Sequence, residues 1–320
     1  MNKPVNVTTK LNIVIPDNGK NASEKQKKDH TWHIVGMVVT YAFLIIMALI
    51  VFFPFYYMIV GSFMQEDELI SGAIFPSFNS FFENIAYNYS ETLSRFNYFQ
   101  YIGNTLIVGF STTILQMLVT ILSAYAFARL KFRGRDILFT IFLATMMIPG
   151  EMMVITNYTT MANLGFIGNY QTKMQAYIVM VLPFISSVFY IYLLRQNFKQ
   201  IPNELYLAAK VDGKSDWTFL WKVMVPLASP TLITIAILSI IGSWNAYVWP
   251  KLTVNQMSNN LISVAIRGQA LALKDSMGVM ITQYSWTLVA SVLTVVPLLL
   301  LFIIFRKYIM SGTGRAGIKG

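Results

Sequence analysis

Residues 195–230 read RQNFKQIPNELYLAAKVDGKSDWTFLWKVMVPLASP. The stretch is too polar to cross a bilayer and too patterned to be an unstructured loop. Pro202 suits the first turn of a helix, where its missing N–H is not needed, and Glu204 suits the positive end of a helix dipole. Leu205, Ala208 and Ala209 follow at spacings of three and four and give one apolar face. Asp212-Gly213 marks a turn or helix stop. Ser215 can cap a second helix, along which Trp217, Leu220, Trp221 and Met224 form a second apolar stripe that Pro226 and Pro230 end. The spacing predicts a helical hairpin over 202–226. Two readings of it stay open on composition: an amphipathic hairpin on lipid headgroups, or a surface that another protein approaches closely across Ala208 and Ala209.

The hairpin sits between two apolar runs, 176–195 and 228–249. Four more such runs lie outside them, at 34–60, 101–127, 137–157 and 287–308. About 20 apolar residues suffice to cross the hydrocarbon core, so six spans are expected. The whole chain agrees: 320 residues, 55% hydrophobic and only 12% charged, against about 25% charged in a soluble domain. The run 34–60 is far longer than the core of a signal peptide and lacks a small-residue cleavage site, so it is expected to be retained.

Charge sets an orientation. The segment to His33 carries +3, the loop 61–100 carries −4, and 128–136 carries +3. The segment 158–175 holds only Lys173, 195–227 carries +2, and the tail from Arg306 carries +4. Positive segments favour the cytoplasm, so both ends are expected inside, as an even number of spans requires. The loop 250–286, at +2, is the one poor fit. The expected organisation is a cytoplasmic tail 1–33, a first span 34–60, an extracytoplasmic loop 61–100, a membrane core 101–308, and a Gly-rich cytoplasmic tail 309–320. Pro76 and the Ser/Asn cluster 77–80 predict a turn inside the outer loop, which is long enough for short helices.

Little in the chain points to catalysis. There is no Cys, and His30 and His33 lack a third ligand, so no metal site is expected. Gly312, Gly314 and Gly317 spell G-x-G-x-x-G without a strand before them, which does not make a dinucleotide site. No G-x-x-x-x-G-K-[ST] phosphate loop occurs, so any ATP and Mg must be bound by a partner. The net charge of +10 lies mostly beside the apolar runs rather than in a basic patch with aromatics, so nucleic acid is not expected as a partner. Polar residues inside spans mark faces that look at protein or water. Glu151 is the one acid within a predicted span, and either lines a solute path or sits at a kink beside Pro149. Ser243, Trp244, Asn245, Tyr247 and Trp249 cluster late in the fifth span, where aromatic rings and an amide suit a sugar, and equally suit an interfacial belt with a packing Asn. Asn104 and Gln116 are further candidates for the same path.

The hairpin resembles the cytoplasmic "EAA" loop of ATP-binding-cassette importer permeases. That pattern runs P-x-E-L-x-E-A-A-x-x-D-G-A, then an aromatic, then L-P and a further P. It is met here by Pro202, Glu204, Leu205, Ala208, Ala209, Asp212, Gly213, Phe219, Pro226 and Pro230. Leu207 stands where the family has Glu, and Lys214 where Ala is common. The stretches 104–113, 124–130 and 147–151 look like the family's core spans, and GSWNAYVWP at 242–250 and SGTGRAGIKG at 311–320 resemble the carbohydrate permeases of maltose or glycerol-phosphate type. The resemblance implies an all-α membrane protein with six transmembrane helices and a cytoplasmic coupling hairpin between helices 4 and 5. It implies coupling to a separate ATPase dimer through Glu204, Leu207, Ala208, Ala209, Asp212 and Gly213. It also implies a second permease subunit, an extracytoplasmic solute-binding protein, and no catalysis by this chain. The alternative is a self-sufficient secondary transporter or channel for a small polar solute. One lone acid and no evident inverted repeat speak against it. An intramembrane enzyme lacks any His/Asp, metal or Ser/His constellation in the spans.

Overall fold

The computed structural model describes residues 19–78, 81–267, 271–274 and 280–314, with side chains described over 32–78, 81–267, 271 and 281–306. The chain divides into two units, one ending at Tyr57 and one beginning at Met58. The first unit is helical from Gly19, in the long helix α1 (Gly19–Gly61). Half of the expected tail 1–33 is thus helix, and residues 1–18 lie outside the described residues. The section Trp32–Gly61 has a mean hydropathy of 2.8, and side chains from Trp32 to Phe55 are exposed on every face. An apolar surface all round a helix is what a hydrocarbon solvent selects.

In the second unit, α2 (Glu66–Ile70) and α3 (Phe81–Arg95) fold within the segment 61–100, as its length suggested. Helix α4 (Tyr98–Arg129) is a single unbroken rod and the second candidate span. The expected third span 137–157, for which a kink beside Pro149 was one reading, is bent there. It is α5 (Arg135–Thr145) and α6 (Met153–Asn163), bent by 82° about a break that holds Pro149. The fourth is also broken, into α7 (Lys173–Val181) and α8 (Val188–Gln200), bent by 52° beyond Pro183. Proline removes a helix hydrogen bond and clashes with the preceding turn, which is the physical cause at both places.

The hairpin follows as α9 (Asn203–Val211) and α10 (Asp216–Phe219), then one π-helical turn Leu220–Met224 and the short α11 (Val225–Leu227). The chain bends by 78° into α12 (Ser229–Asn245). The fifth span was expected to run to residue 249. It ends at Asn245, and Trp249 belongs instead to α13 (Val248–Thr253), whose first turn accommodates Pro250. The short α14 (Ile262–Ala265) and a two-stranded antiparallel ladder, β1 (Ala272–Lys274) with β2 (Met280–Thr282), follow in register Ala272↔Thr282. The last span, α15 (Tyr284–Gly314), runs to Gly314, so residues 309–314 are helix rather than a Gly-rich tail, and residues 315–320 lie outside the described residues. Three helices are long and apolar enough to cross a membrane, and up to six segments if each bent pair is one span. The fold is that of a helical membrane protein.

Helix α4 packs between α8 and α12, and α15 packs on α12 and α3. One apolar cluster joins Ile121, Tyr125, Leu194, Phe198, Phe219, Met224 and Ile235 at the hairpin end. Another joins Val108, Met180, Trp249 and Leu261. Polar side chains hold the loops at the other end. Asn84, Asn88 and Thr92 recur every four residues on α3, and Asn88 Nδ2 donates to the carbonyls of Ser62 (3.2 Å) and Met64 (2.8 Å). The Glu66 carboxylate accepts from the backbone N–H groups of Tyr284 (2.9 Å) and Ser285 (3.0 Å), so it caps the positive end of α15.

Two prolines free a carbonyl four residues earlier, and each finds a side-chain donor. Pro183 leaves the Val179 oxygen without its helical N–H, and Trp249 Nε1 donates to it at 2.9 Å. Pro297 does the same to Leu293, and Tyr98 Oη donates there at 2.8 Å. Leaving one such buried group unsatisfied costs about 1–3 kcal/mol. Trp249→Phe is therefore expected to lower the thermal midpoint of the purified protein by several degrees, while Trp217→Phe, at an exposed site, leaves it unchanged. Equal midpoints for the two variants would contradict this assignment.

Candidate functional site

The hairpin is built by local rules. Gly213 has φ +69°, a conformation that costs residues with a Cβ about 1–2 kcal/mol. Its turn closes α9 with bonds from Gly213 N–H to Lys210 O (3.0 Å) and from Lys214 N–H to Ala209 O (2.9 Å), the paired pattern of a glycine-terminated helix. Ser215 Oγ then accepts from Thr218 N–H at 3.2 Å and caps α10. Phe219, Leu220 and Met224 are fully buried, so the expected second stripe points inward, except for Trp217.

The residues read as one apolar face of α9 divide between its two sides. Tyr206 and Ala209 pack on the core, and Tyr206 meets Phe219 edge-on with centroids 5.2 Å apart. Leu205 and Ala208 are exposed. Six of the nine residues of α9 carry apolar or aromatic side chains, so spacing alone could not choose the buried face. The outward side is apolar: Leu207 is 55% exposed, Val211 88% and Trp217 62%. Glu204 and Asp212 are exposed beside them.

Two side chains unforeseen in the sequence fasten the hairpin to the spans. Arg129, at the end of α4, donates to the carbonyls of Phe198 (3.0 Å) and Ile201 and to Asn203 Oδ1 (3.4 Å), where α8 gives way to α9. Asp216 Oδ1 accepts from Tyr125 Oη of α4 (3.1 Å) and from Tyr206 Oη of α9 (3.0 Å), and Oδ2 lies 3.1 Å from Lys210 Nζ. Burial opposes ionisation of Asp216, but the bonds from Lys210, Tyr206 and Tyr125 outweigh it and hold the carboxyl below its ordinary range. The same carboxylate raises Lys210. The one signal in the sequence was the i, i+4 pair Tyr206 and Lys210, which share a helix face.

Further along α4 lies a cavity of about 240 Å³. Val108, Thr112 and Gln116 of α4, Ser239, Gly242 and Ser243 of α12, and Phe184 and Trp249 line it. Gln116 Nε2 donates to the Phe184 carbonyl at 2.8 Å, within the break of the fourth span. Thr112 Oγ1 is buried and finds no hydrogen-bond partner among the described residues. Gln116 and Ser243 are thus brought together, with Ser239, another polar residue of the expected fifth span, and with Thr112, missed in the sequence because a lone hydroxyl on an apolar helix carries no pattern.

The other expected path residues are spread out. Asn104 is buried, donates to the carbonyls of Ser258 (2.8 Å) and Asn260 (3.0 Å), and accepts from Tyr177 Oη (2.6 Å), so it fastens the loop after α13. Trp244 is buried against a separate apolar cavity with Pro297 and Leu301 of α15. Asn245 was expected to turn toward the protein interior and is instead exposed, at the end of α12, where the helix stops and no neighbour covers it. Glu151 is exposed on the turn Gly150–Met152 within the break of the third span. Tyr247 accepts from Lys251 Nζ (3.0 Å) and lies under the guanidinium of Arg267 at 4.4 Å. No group of three or more metal-ligating side chains occurs among the described residues.

The chain is similar to known proteins along most of its length. It is 30% identical over 296 residues to an arabinooligosaccharides transport system permease protein of Halalkalibacterium halodurans, covering 92% of this chain and all of that one. It is 29% identical to a diacetylchitobiose uptake system permease protein of Streptomyces coelicolor, covering 88% of each. It is 26% identical to an sn-glycerol-3-phosphate transport system permease protein of Rhizobium meliloti, covering 87% of this chain and 96% of that one. In fold it resembles a chain from the crystal structure of a bacterial ABC transporter involved in the import of the acidic polysaccharide alginate, with a TM-score of 0.73 at 23% identity over 88% of this chain and 97% of that one. These relatives are transport permeases rather than enzymes. Residues 116–314, which hold the hairpin and the cavity-lining segment of α12, match the family described as binding-protein-dependent transport system inner membrane component, and the chain belongs to that family.

Proposed function

We propose that this chain forms one half of the translocation pathway of an ATP-driven importer for a carbohydrate or related solute, and that the hairpin 202–226 receives the force of a separate ATPase. The observation that carries this reading is the two-sided hairpin. Its inner face is fastened to α4 and α8 by Arg129 and Asp216, and its outer face leaves Leu207, Val211 and Trp217 in the open. Apolar side chains on a charged, solvent-facing hairpin mark a docking surface. Leu207 in place of an acid fits that surface, because docking then rests on apolar contact, with Glu204, Ala208, Asp212 and the Gly213 turn around it.

The proposed arrangement has six spans, counting each bent pair once, with both termini and the hairpin in the cytoplasm. The charge alternation supports it. Residues 61–100, 158–175 and 250–286 then face outward, where a solute-binding protein delivers its cargo. A second permease subunit completes the pathway, and ATP and Mg are held by the ATPase, since no phosphate loop occurs in this sequence. The relatives are named for arabinooligosaccharides, diacetylchitobiose and glycerol phosphate, which supports a hydroxyl-rich solute. Thr112, Gln116, Ser239 and Ser243 supply hydroxyl and amide groups of the kind that bind one. ATP-driven closure can move these helices only through contacts that differ between the two states, and the hairpin is the lever that provides them.

Gly213 gives the first test. No neighbour lies within 4 Å of a Cβ built there, so the cost of a substitution is conformational. Gly213→Val is expected to abolish most transport in the reconstituted complex with ATP hydrolysis retained, while Gly213→Asn, which tolerates positive φ, keeps most of it; transport at the original rate in both variants contradicts the lever. For the docking face, Leu207→Asp and Trp217→Ala are each expected to reduce co-purification of the ATPase about tenfold, equivalent to about 1.4 kcal/mol. Undiminished co-purification would remove the apolar docking surface.

A further inference from the structure

Helix α4 runs without a break from Tyr98 to Arg129. Along one side it carries Asn104, Thr112 and Gln116, and near its end Tyr125 and Arg129. Tyr125 lies nine residues beyond Gln116, about 13 Å along the axis at 1.5 Å per residue. The rod therefore connects the hairpin to the cavity. What grips the rod at the hairpin end decides whether a movement of the hairpin is carried or dissipated.

Two kinds of contact are present there. The first is apolar: Phe198, Phe219 and Leu220 pack with Ile121 and Tyr125. Such packing is attractive but non-directional, and a helix can slide or roll on it. The second is directional. The Asp216 carboxylate holds Tyr125 of α4 and Tyr206 of α9 at 3.1 and 3.0 Å with the same oxygen. Hydrogen bonds weaken steeply when bent, so this bridge ties the rotation of α9 to that of α4. Arg129 cannot substitute for it. Two of its three bonds go to backbone carbonyls at the end of α8, at the root of the hairpin rather than on its moving arm.

We propose that Asp216 is a positioning residue that, through Tyr125, transmits the motion of the hairpin to α4 and so to the cavity. The inference rests on the coupling role given to the hairpin above. Its basis is the convergence of both hairpin helices and one span on a single carboxylate. Asp216 touches neither solute nor nucleotide in this scheme.

The chain contains no Cys, so one introduced cysteine reports on the cavity alone. The test uses the complete reconstituted transporter carrying Ser243→Cys and measures the labelling rate by N-ethylmaleimide, with and without ATP and vanadate. With the bridge intact, nucleotide is expected to change the rate severalfold. Tyr125→Phe removes one hydroxyl and keeps the ring packed. It is expected to abolish most of that change while the complex still assembles and hydrolyses ATP, and Asp216→Ala should do the same. Asp216→Asn keeps an acceptor oxygen and should retain most of the response, which separates the bridge from the charge. A full nucleotide response in both Tyr125→Phe and Asp216→Ala overturns the proposal and leaves the coupling role of the hairpin standing. No response with Tyr125 and Asp216 intact overturns both.

Discussion

A helix that breaks inside a membrane exposes carbonyls that hydrocarbon cannot satisfy, and much of this structure is arranged to meet that demand. Pro183 frees the Val179 oxygen, and the indole of Trp249 takes it. The Phe184 oxygen in the same break goes to Gln116. Pro297 frees the Leu293 oxygen for Tyr98, and Arg129 serves the carbonyls that end α8. Each donor comes from a helix distant in sequence. The break in the fourth span therefore becomes a tether between helices, as does the carbonyl freed within α15.

The tethers converge on α4. It contributes Tyr98, Asn104, Gln116 and Arg129 as donors, and Tyr125 as the hydroxyl on Asp216. A rod with fixed points at its first turns, at the cavity and at the hairpin responds as one body. The cavity-lining residues and the hairpin are thus connected through α4, which is unbroken between Val108 and Arg129.

The sequence made the spans legible because hydrocarbon demands long apolar runs, and made the hairpin legible because Pro202, Gly213 and Ser215 punctuate it in a fixed order. It hid the breaks. Pro183 sits in a run apolar enough to read as one helix, and only its freed carbonyl shows what the proline does. It also hid which face of α9 is buried, since Leu205, Leu207, Ala208 and Ala209 are all apolar and the choice falls to Tyr206, whose hydroxyl needs Asp216. Asn104 was legible as a polar group that must face protein, but its partners are carbonyls over 150 residues away. Asn245 went the other way, because a residue at the end of a helix need not turn inward. Thr112 became visible only once α4 and α12 were placed side by side.

The central claim is that the exposed apolar face of the hairpin meets the ATPase. The absence of Cys from the chain permits a direct measurement at Val211, the most exposed side chain of that face. With Val211→Cys in reconstituted membranes, the rate of maleimide labelling is measured with and without the ATPase subunit. The account predicts that the ATPase lowers the rate at least tenfold and that a maleimide–benzophenone reagent attached to the introduced thiol photo-cross-links the two chains. Labelling at the same rate in both samples, with no cross-linked product, would contradict it.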